Sequence, residues 1–296
     1  MPELPDITVY VESLAAKLQG ATLQRVRVMN PFVLRTAVPP IGSAEGQRVS
    51  GIERLGKRVV IALDGDLFLV IHLMIAGRLL WLAAGAKPAK SALLALEFDA
   101  GTLVLTEAGT QRRASLHLLA GREALAAADP GGIEPLSADL PNFSERLKSE
   151  NHTLKRALTN PRLFSGIGNA YSDEILHRAK LSPVTLTRAL DDAALQRLLA
   201  ATREVLLEWT QRLRGEAGSA GGWPKKVTAF HPQMAVHGRY GQPCPVCGSP
   251  VQRIVHADNE TNYCARCQTG GKLLADRSLS RLLKASWPKH IDQIDP

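Results

Sequence analysis

"CPVCGSPVQRIVHADNETNYCARC", residues 244–267, contains every cysteine of the chain. Cys244 and Cys247 form one CxxC pair and Cys264 and Cys267 a second, with sixteen residues between the pairs. Each pair presents two thiolates from one tight turn, and two such turns complete a tetrahedral zinc shell. Disulfides and redox thiols are the alternatives, but a reducing cytoplasm disfavours disulfides, and a redox pair needs no second pair at this spacing. Four thiolates leave no open coordination position, so we expect one structural Zn²⁺ that holds a fold and performs no chemistry.

The charge of this segment and of the whole chain favours a polyanionic partner. Between His237 and Lys284 there are seven Lys and Arg against three Asp and Glu. The full chain of 296 residues carries 36 Lys and Arg against 28 Asp and Glu, a net charge of +8. Such an excess suits nucleic acid or an anionic membrane surface, and charge alone does not separate the two. Taken by itself, the cysteine segment is also compatible with a zinc ribbon that binds proteins.

A glycine-rich turn between two helical patterns precedes the cysteines. In "HTLKRALTNPRLFSGIGNAYSDEIL", residues 152–176, Gly166 and Gly168 bracket an isoleucine, and Asn169 begins a new helical pattern. Glycines permit a tight turn, and the N–H groups at a helix start bind phosphate. Lys155, on the preceding helix, is placed to reach the same anion. On this fragment alone a plain helical hairpin is an equal alternative.

The amino-terminal half has a different periodicity. "MPELPDI", residues 1–7, places two prolines and two acids directly before a helix predicted over Asp6–Leu18. An incidental start is the alternative reading of that stretch, because most termini fray. Short runs rich in Val, Ile and Leu then predict strands at 22–29, 49–54, 58–64, 67–75, 78–83, 91–98 and 102–106. This half is therefore predicted to be a β-sandwich with one helix at its front edge.

Residues 128–143 are dense in Pro, Gly, Asp and Ser and are interpreted as a linker. Helical periodicity follows, with predicted helices at 144–149, 152–159, 170–179 and near 190–213, and then a flexible stretch at 215–226. The most apolar run, residues 67–84, carries His72 and Arg78 near its middle and is interpreted as two buried strands rather than a membrane span. We expect no membrane association. The amino terminus shows no secretory signal, so a cytoplasmic location is expected.

The three motifs occur in one order along the chain, which resembles that of the formamidopyrimidine-DNA glycosylase and endonuclease VIII family. The resemblance covers residues 1 to about 268. It implies an α+β fold with an N-terminal β-sandwich and leading helix, and a C-terminal helical domain that carries a helix–two-turns–helix element and a zinc hairpin. The expected parts are a catalytic β-sandwich domain at 1–133, a linker at 134–143, a helical DNA-binding domain at 144–235, a zinc finger at 236–269 and a C-terminal extension at 270–296.

The resemblance also assigns roles to the opening stretch. In proteins that this chain resembles, Met1 is removed, and the secondary amine of Pro2 attacks C1′ of a damaged nucleoside and forms an iminium. Glu3 then moves protons to and from the sugar oxygen or the departing base. Asp6 stands where the family usually shows Glu and is expected to orient this cluster or cap the helix. Lys57, in "RLGKRVVI", is expected to contact a phosphate beside the lesion; without the resemblance it would be interpreted as an exposed lysine before a strand.

The segments that fill the space left by an extruded base depart from the family pattern. "HLMIAG" stands where the family usually reads HLGMSG, so the wedge position falls on Ile75. In the longer loop "TEAGTQRRASL", Arg112 is expected to enter the duplex, but Ala114 occupies the aromatic position. Gln111 is an alternative wedge. Because extruding a base costs a few kcal/mol, weaker filling favours mispaired, distorted or single-stranded substrates.

The zinc hairpin and the C-terminus depart as well. At the hairpin tip the family usually has an arginine that reaches DNA phosphate, and here the register gives Asn259, with Arg253 or Arg266 expected to supply the missing charge. The chain continues past Cys267, and "KLLADRSLSRLLK" places Leu279, Leu282 and Leu283 on one helical face. We expect a short helix that packs back on the body, the alternative being a new interaction site.

The predicted function is that of a bifunctional DNA glycosylase and AP lyase that acts as a monomer on damaged DNA, duplex or distorted, in the cytoplasm and associated with the nucleoid. "PELP" resembles the purine-directed branch of the family, so oxidised purines are the expected lesions. Three alternatives stay open: a DNA-binding paralogue that recognises damage without excising a base, a glycosylase for oxidised pyrimidines, and one for single-stranded DNA. A zinc ribbon that binds proteins explains neither "MPELP" nor the GIGN turn.

Overall fold

The computed structural model of this chain describes residues 1–109, 112–224, 230–256, 259–275, 281–282, 286 and 288–294. Its backbone divides into two compact units. The first comprises Met1–Pro130 together with Trp209–Thr228, and the second comprises Gly131–Glu208 together with Ala229–Pro296.

The first unit opens with helix α1, Leu4–Leu18. Apolar side chains at helical spacing give it one buried face, and Ile7, Leu14 and Leu18 on that face have no exposed surface. The helix begins two residues before its predicted start because the first turn is capped: Pro5 lies in that turn, and the N–H of Glu3 donates to the carboxylate of Asp6. The same residues that were expected to carry chemistry therefore also define the start of α1.

Two four-stranded antiparallel sheets form a sandwich behind α1, as predicted. The first sheet has the strand order β1-β6-β7-β5 and the second the order β2-β3-β4-β8. The strands are β1 Leu23–Val28, β2 Val49–Leu55, β3 Arg58–Leu63, β4 Leu67–His72, β5 Gly77–Ala83, β6 Ala92–Phe98, β7 Gly101–Glu107 and β8 Ser115–Ala120. Alternate residues of both sheets meet in one apolar core, which also receives Tyr10 from α1 and Trp223. Strand β8 was not predicted, because its six residues follow a polar loop and carry a histidine among the leucines.

Among the described residues of the first unit, helix α2, Arg122–Ala127, covers part of the outer face of the second sheet. It lays Leu125 on a small apolar cluster of this face. The cluster consists of Val60, Ala62, Phe68 and Val70, with Leu55 and Leu119 packed against it. Toward the β2–β3 turn the same face becomes polar.

The second unit contains α3 Leu140–Lys148, α4 Leu154–Thr159, α5 Asn169–Arg178 and the long α6, Asp192–Ser219, which starts here and ends in the first unit. Two boundaries differ from prediction. Helix α3 begins inside the segment interpreted as a linker, because Asp139 caps it by accepting the N–H of Asn142 and Pro141 fits the first turn. Helix α6 continues through residues 215–219, the first part of the stretch interpreted as flexible.

The zinc hairpin consists of β9 Gln252–His256 and β10 Asn259–Tyr263, followed by the short helix α7, Ala265–Thr269. The start and the end of the C-terminal extension pair with each other at Lys272 and His290. They bury Ile291 and Leu273 against Tyr263. Leu282 is 76% exposed. Leu279 and Leu283 lie outside the described residues, so the predicted helix of this segment stays a prediction.

No helix within the described part of the chain has both the length and the apolar composition that crossing a membrane requires.

Candidate active site and nucleic-acid interface

The amino terminus of the first unit is a buried polar cluster. Pro2 is buried, and Glu3 and Asp6 are only 2% and 3% exposed. The Glu3 N–H donates to Asp6 Oδ2 at 2.8 Å, which holds the two acids on the first turn of α1. The structure therefore brings together three of the four residues expected to form the active site, and it does so by local chain geometry.

Burial dominates the electrostatics of this cluster. It lowers the pKa of the α-amino group of Met1; Glu3 and Asp6 raise that pKa, whereas Arg78 and Lys57 lower it. Burial also raises the pKa of Asp6 to about 7, against the opposing effect of the Glu3 N–H that it accepts. The chain start thus holds an amine whose neutral form is favoured beside a carboxyl group that titrates near neutrality.

Lys57 occupies the two-residue turn that joins β2 to β3. Gly56 precedes it with a left-handed φ of 61°, a conformation that glycine adopts without strain. The Lys57 side chain is half-buried and lies close enough to lower the pKa of the α-amino group. The turn therefore delivers a cation to the edge of the amino-terminal cluster.

Arg78 also belongs to this cluster, although its position in the sequence did not predict a role there. It lies at the start of β5, its guanidinium Nη1 donates to the Gly77 carbonyl at 2.6 Å, and its charge acts on the α-amino group and on Asp6. Its sequence signal is only that of a polar residue at a strand start. The contact with α1 depends on strand order, which one sequence does not reveal.

Ile75 lies at the tip of the loop between β4 and β5, with 59% of its surface exposed. The strand predicted over 67–75 ends at His72, and the Gly77 N–H donates to the Leu73 carbonyl across the loop at 2.9 Å. A Cβ on Gly77 would lie 2.1 Å from that carbonyl oxygen, so the loop needs glycine there. An apolar side chain is thereby presented to solvent by a tight and well-defined turn.

The second wedge loop places Arg112 on the surface and Ala114 in the core. The backbone N–H of Ala114 donates to the carboxylate of Glu107 at 2.9 Å, and its side chain is 2% exposed. Ala114 therefore offers no side chain to a DNA duplex. Gln111 lies outside the described residues.

In the second unit the GIGN turn brings Lys155 to the start of α5. Gly166 has a left-handed φ of 78°, and Gly168 is the N-cap residue of α5. Lys155 Nζ donates to the Asn169 carbonyl at 2.6 Å and to Asp173 Oδ1 at 2.5 Å. The ammonium group and the helix N-terminus thus lie side by side, an arrangement that suits an anionic ligand.

The zinc hairpin contributes to the same region of this unit. The Asn169 side-chain amide donates to the Glu260 carbonyl of β10 at 2.9 Å. Asn259, the preceding residue, is exposed at the hairpin end. Arg253 pairs with the Glu260 carboxylate at 3.2 Å and stacks over Tyr240. Arg266 pairs with Asp292 at 2.6 Å, so each arginine expected to supply hairpin charge has an acidic partner within the chain.

Two adjacent acids of α5 organise the chain between that helix and the hairpin. The buried Asp173 accepts from Lys155, from the ring of His237 at 2.8 Å and from the Asn262 N–H at 3.1 Å. Glu174 accepts three consecutive backbone N–H groups, those of residues 235–237, at 2.7 to 2.9 Å. This network could not be predicted from the sequence, since acids on a helix normally face solvent.

The four cysteines converge as predicted. Their Sγ atoms all lie within 4.8 Å of one another, with 3.3 Å between Cys247 and Cys264 and 3.9 Å between Cys244 and Cys267. Tetrahedral zinc with Zn–S bonds of about 2.3 Å needs sulfurs about 3.8 Å apart, whereas a disulfide needs about 2.05 Å. The residues fit one structural zinc ion. His177, on α5, lies beside this shell with Nε2 3.3 Å from Cys244 Sγ.

Comparison with protein families matches each part of this architecture. A model described as the formamidopyrimidine-DNA glycosylase N-terminal domain matches residues 1–114. The H2TH domain of formamidopyrimidine-DNA glycosylase matches residues 132–216, and a zinc finger found in FPG and IleRS matches residues 241–270. The extension that follows residue 270 lies outside all three matches.

Individual relatives match along nearly their whole length. The formamidopyrimidine-DNA glycosylase of Chloroflexus aurantiacus is 34% identical over 275 residues, which cover 90% of this chain and 98% of that protein. The crystal structure of MutM (Fpg) from Thermus thermophilus superposes with a TM-score of 0.73 at 33% identity, covering 90% of this chain and 98% of that one. The Lactococcus lactis Fpg in complex with FAPY-dG-containing DNA gives a TM-score of 0.79 at 25% identity, with coverages of 90% and 100%.

Proposed function

The chain belongs to the formamidopyrimidine-DNA glycosylase family, and we propose that it is a bifunctional DNA glycosylase and AP lyase that removes oxidised bases, oxidised purines above all. The observation that carries this proposal is the buried amino-terminal cluster of Pro2, Glu3 and Asp6, at a chain start where burial lowers the pKa of the α-amino group, here that of Met1. Base excision through an imine requires that neutral form, since an ammonium group has no lone pair with which to attack.

The proposed reaction starts from the chain without Met1, so that the amine is the secondary amine of Pro2. Its nitrogen forms a bond to C1′ of the damaged nucleoside as the bond from C1′ to the base breaks. Glu3 supplies a proton to the departing base or to the sugar ring oxygen. The C1′–O4′ bond then breaks as the nitrogen lone pair forms a C=N bond, which opens the ring and gives an iminium. The resulting iminium acidifies C2′, whose proton is lost as the 3′ phosphate leaves, and a second elimination releases the 5′ phosphate. Water then hydrolyses the imine and frees Pro2.

Several residues are proposed to hold the DNA during these steps. Lys57, at the edge of the cluster, contacts the phosphate beside the lesion. In the second unit Lys155, Gly168 and Asn169 bind a phosphate at the N-terminus of α5, where the ammonium group already lies next to the helix start. Asn259 and Arg253 contact the backbone from the hairpin. Ile75 and Arg112 are proposed to enter the duplex where the base leaves, because both are exposed on loops.

The preference for oxidised purines is supported by "PELP" and by the relative from Lactococcus lactis, whose complex contains FAPY-dG DNA. DNA as the substrate makes the nucleoid the expected location. A second candidate function is recognition of damage without excision, and the burial of Ala114 favours it, since the loop then lacks an aromatic wedge. Weaker filling of the duplex is equally compatible with a glycosylase for distorted or single-stranded sites.

Borohydride trapping tests the proposal. Purified protein is incubated with duplexes that carry an abasic site or 8-oxoguanine, and any iminium is reduced to a stable covalent complex. We expect trapping on both duplexes, and its loss in a variant with a Gly-Ser extension ahead of Pro2. Pro5→Ala is the control, since it changes the proline three residues further on, and this variant should still form the covalent complex with both duplexes. Glu3→Gln should trap far less on 8-oxoguanine.

The two candidate functions give opposite results. If the wild-type protein binds both duplexes but traps neither, the enzymatic proposal is wrong and damage recognition is the better account. Trapping on the abasic duplex alone supports the lyase and rejects the purine preference. Mass spectrometry of the purified chain determines whether Met1 is absent in the protein that traps.

A further inference from the structure

The polar end of the outer face of the second sheet carries a row of basic side chains. Arg58 in β3 pairs with His72 in β4, and His117 in β8 pairs with Val70, two residues before His72 on the same strand. Because side chains alternate between the faces of a sheet, these three basic residues share one face. It is the face that α2 covers further along, and Arg58 reaches the end of that helix.

A fourth basic residue reaches this row from outside the eight strands. Leu34 pairs in parallel with Leu116 of β8, and the N–H of Arg35 donates to the Leu116 carbonyl at 2.9 Å. Leu116 belongs to the inner core and Leu34 packs against that core. The next residues along, Arg35 and His117, therefore lie on the outer face. We call Arg35, Arg58, His72 and His117 the outer row.

The outer row concentrates positive charge. The charged neighbours that act on the imidazole of His72 are Arg58, Lys57 and His117, and together with burial they lower its pKa to about 4. Burial, Arg58 and Arg35 lower the pKa of His117. The acid Asp129 acts on Arg58, whose Nη1 donates to the Ala128 carbonyl at 2.5 Å. Burial and these neighbours favour the neutral form of both imidazoles, so the positive charge of the row lies mainly on Arg58 and Arg35.

Both imidazoles are half-buried, and neither has a hydrogen-bond partner among the residues that the structure describes. A neutral imidazole keeps one N–H donor, so His117 is able to donate to an anion at neutral pH. Arg35, exposed at the end of the row, offers the planar donor fork that matches a phosphate. The row therefore has donors and charge available for a ligand.

We propose that Arg35 and His117 form a second phosphate subsite, which binds a DNA backbone phosphate beyond the one next to Lys57. This inference rests on the proposed function, since it takes the bound strand as its ligand. Strands of one sheet lie about 4.8 Å apart, so the segment of Arg35, three strand spacings from β3, lies about 14 Å from Arg58. One phosphate group does not span that distance, whereas two phosphates of one DNA strand, one at each end of the outer row, span it.

The salt dependence of binding tests the subsite. The ligand is a duplex with a tetrahydrofuran abasic analogue, which binds without being cleaved, and the proteins are the wild type, Arg35→Gln, Arg35→Lys and His117→Leu. Each phosphate contact contributes about 0.9 to the slope of log K against log salt. Arg35→Gln should reduce the slope by about 0.9 and weaken binding about eight-fold at 0.1 M salt. Arg35→Lys should restore the slope, and His117→Leu should weaken binding with an unchanged slope, because a neutral group displaces no counterion.

Arg27→Gln is the matched control, since Arg27 is an exposed arginine of the other sheet, paired with Glu97 at 3.1 Å, and should leave the slope unchanged. A scan of single neutral methylphosphonates along the duplex then locates the subsite. One position should weaken the wild type but not Arg35→Gln. If the wild type binds the damaged duplex and Arg35→Gln gives the same salt slope and the same methylphosphonate scan as the wild type, the proposed subsite is wrong, and the proposed function is unaffected. If the wild type does not bind the damaged duplex at all, the proposed function fails, and the subsite with it.

Discussion

The two units place their candidate functional groups by different means. In the first unit Pro2, Glu3 and Asp6 stand at the start of a helix whose buried face packs on β2 and β3, so an apolar core holds the cluster in position. In the second unit Lys155 is held by Asp173, a buried carboxylate that also binds the chain leading into the zinc hairpin. Apolar packing is non-directional and spread over many atoms, whereas a buried polar network depends on every partner.

This difference predicts how each unit responds to damage. A core of many side chains loses stability in proportion to the area removed. The second unit also has buried apolar side chains, but the positions of its candidate functional groups depend on one metal shell and a few carboxylates, where the loss of one partner leaves others buried and unpaired. Four changes test this difference between the units, in order of decreasing effect.

Removal of zinc should have the largest effect and should be confined to the hairpin. Structural zinc sites contribute about 10–16 kcal/mol of apparent binding free energy in small domains, and the apolar cluster around the cysteines contains few side chains. Chelation, or Cys247→Ser, should abolish hydrogen-exchange protection over 252–263 and leave the strands at 92–107 protected. Full protection of the hairpin without metal would show that the polar network alone folds it.

Asp173→Ala should destabilise the second unit by about 3–5 kcal/mol, because Lys155 and His237 lose their common buried partner. Urea unfolding monitored in this unit measures the effect. Asp139→Ala is the matched control, since it removes an exposed helix cap and should cost about 1 kcal/mol. Equal costs for the two variants would contradict a special role for the buried network.

Asp6→Asn should change the pH dependence of stability in the first unit. The pKa of Asp6 is about 7 in the folded chain, against about 3.9 unfolded, so the folded state binds the proton more tightly. Stability of the wild type therefore falls as pH rises from 4 to 7 and then levels off. The variant lacks this loss, so its free energy of unfolding relative to that of the wild type should rise by on the order of 3 kcal/mol between pH 4.5 and pH 8.

Denaturant unfolding at the two pH values measures this gain, with Glu12→Gln, an exposed change on the same helix, as the control. A wild-type pH profile that is parallel to that of the variant would mean that Asp6 stays ionised throughout.

Arg266→Gln should have the smallest effect. Its ion pair with Asp292 joins the extension to α7, but both side chains are about half exposed, and pairs of this kind contribute less than about 1 kcal/mol. A larger loss in thermal unfolding would mean that the extension depends on charge rather than on the buried Ile291.

Most of the fold could be predicted because its elements form through interactions between residues that are close together in the sequence. Alternation in the first 106 residues predicted seven strands and their sandwich, and the cysteine spacing predicted the zinc shell. The errors lie where tertiary contacts decide. Strand β8 is held by pairing with β4, where His72 pairs with Ser115 and Leu67 with Ala120, and its own residues show only weak alternation. Helix α6 runs past its predicted end because Leu213 and Ala217 pack on Val9 of α1.

The candidate site divides in the same way. Pro2, Glu3, Asp6 and the four cysteines could be identified from the sequence and from the family resemblance. Arg78, the Asp173 network and the outer row could not, because strand order and register bring their members together from distant positions. The burial of Ala114 could not be predicted from the sequence either, because an alanine that follows a basic loop is expected to lie at the surface.

The sequence was sufficient to predict the elements that form through interactions between nearby residues. These are a capped helix at the amino terminus, alternating strands, a glycine turn between helices and two CxxC pairs. Which charged groups meet depends on tertiary contacts: Arg78 acts on the chain start, Asp173 pairs with Lys155 at α5, and Arg35 acts on His117 on the outer face. The physical reason is that propensity, capping and metal-ligand spacing act over a few residues, whereas electrostatic neighbours depend on register between segments far apart in the chain.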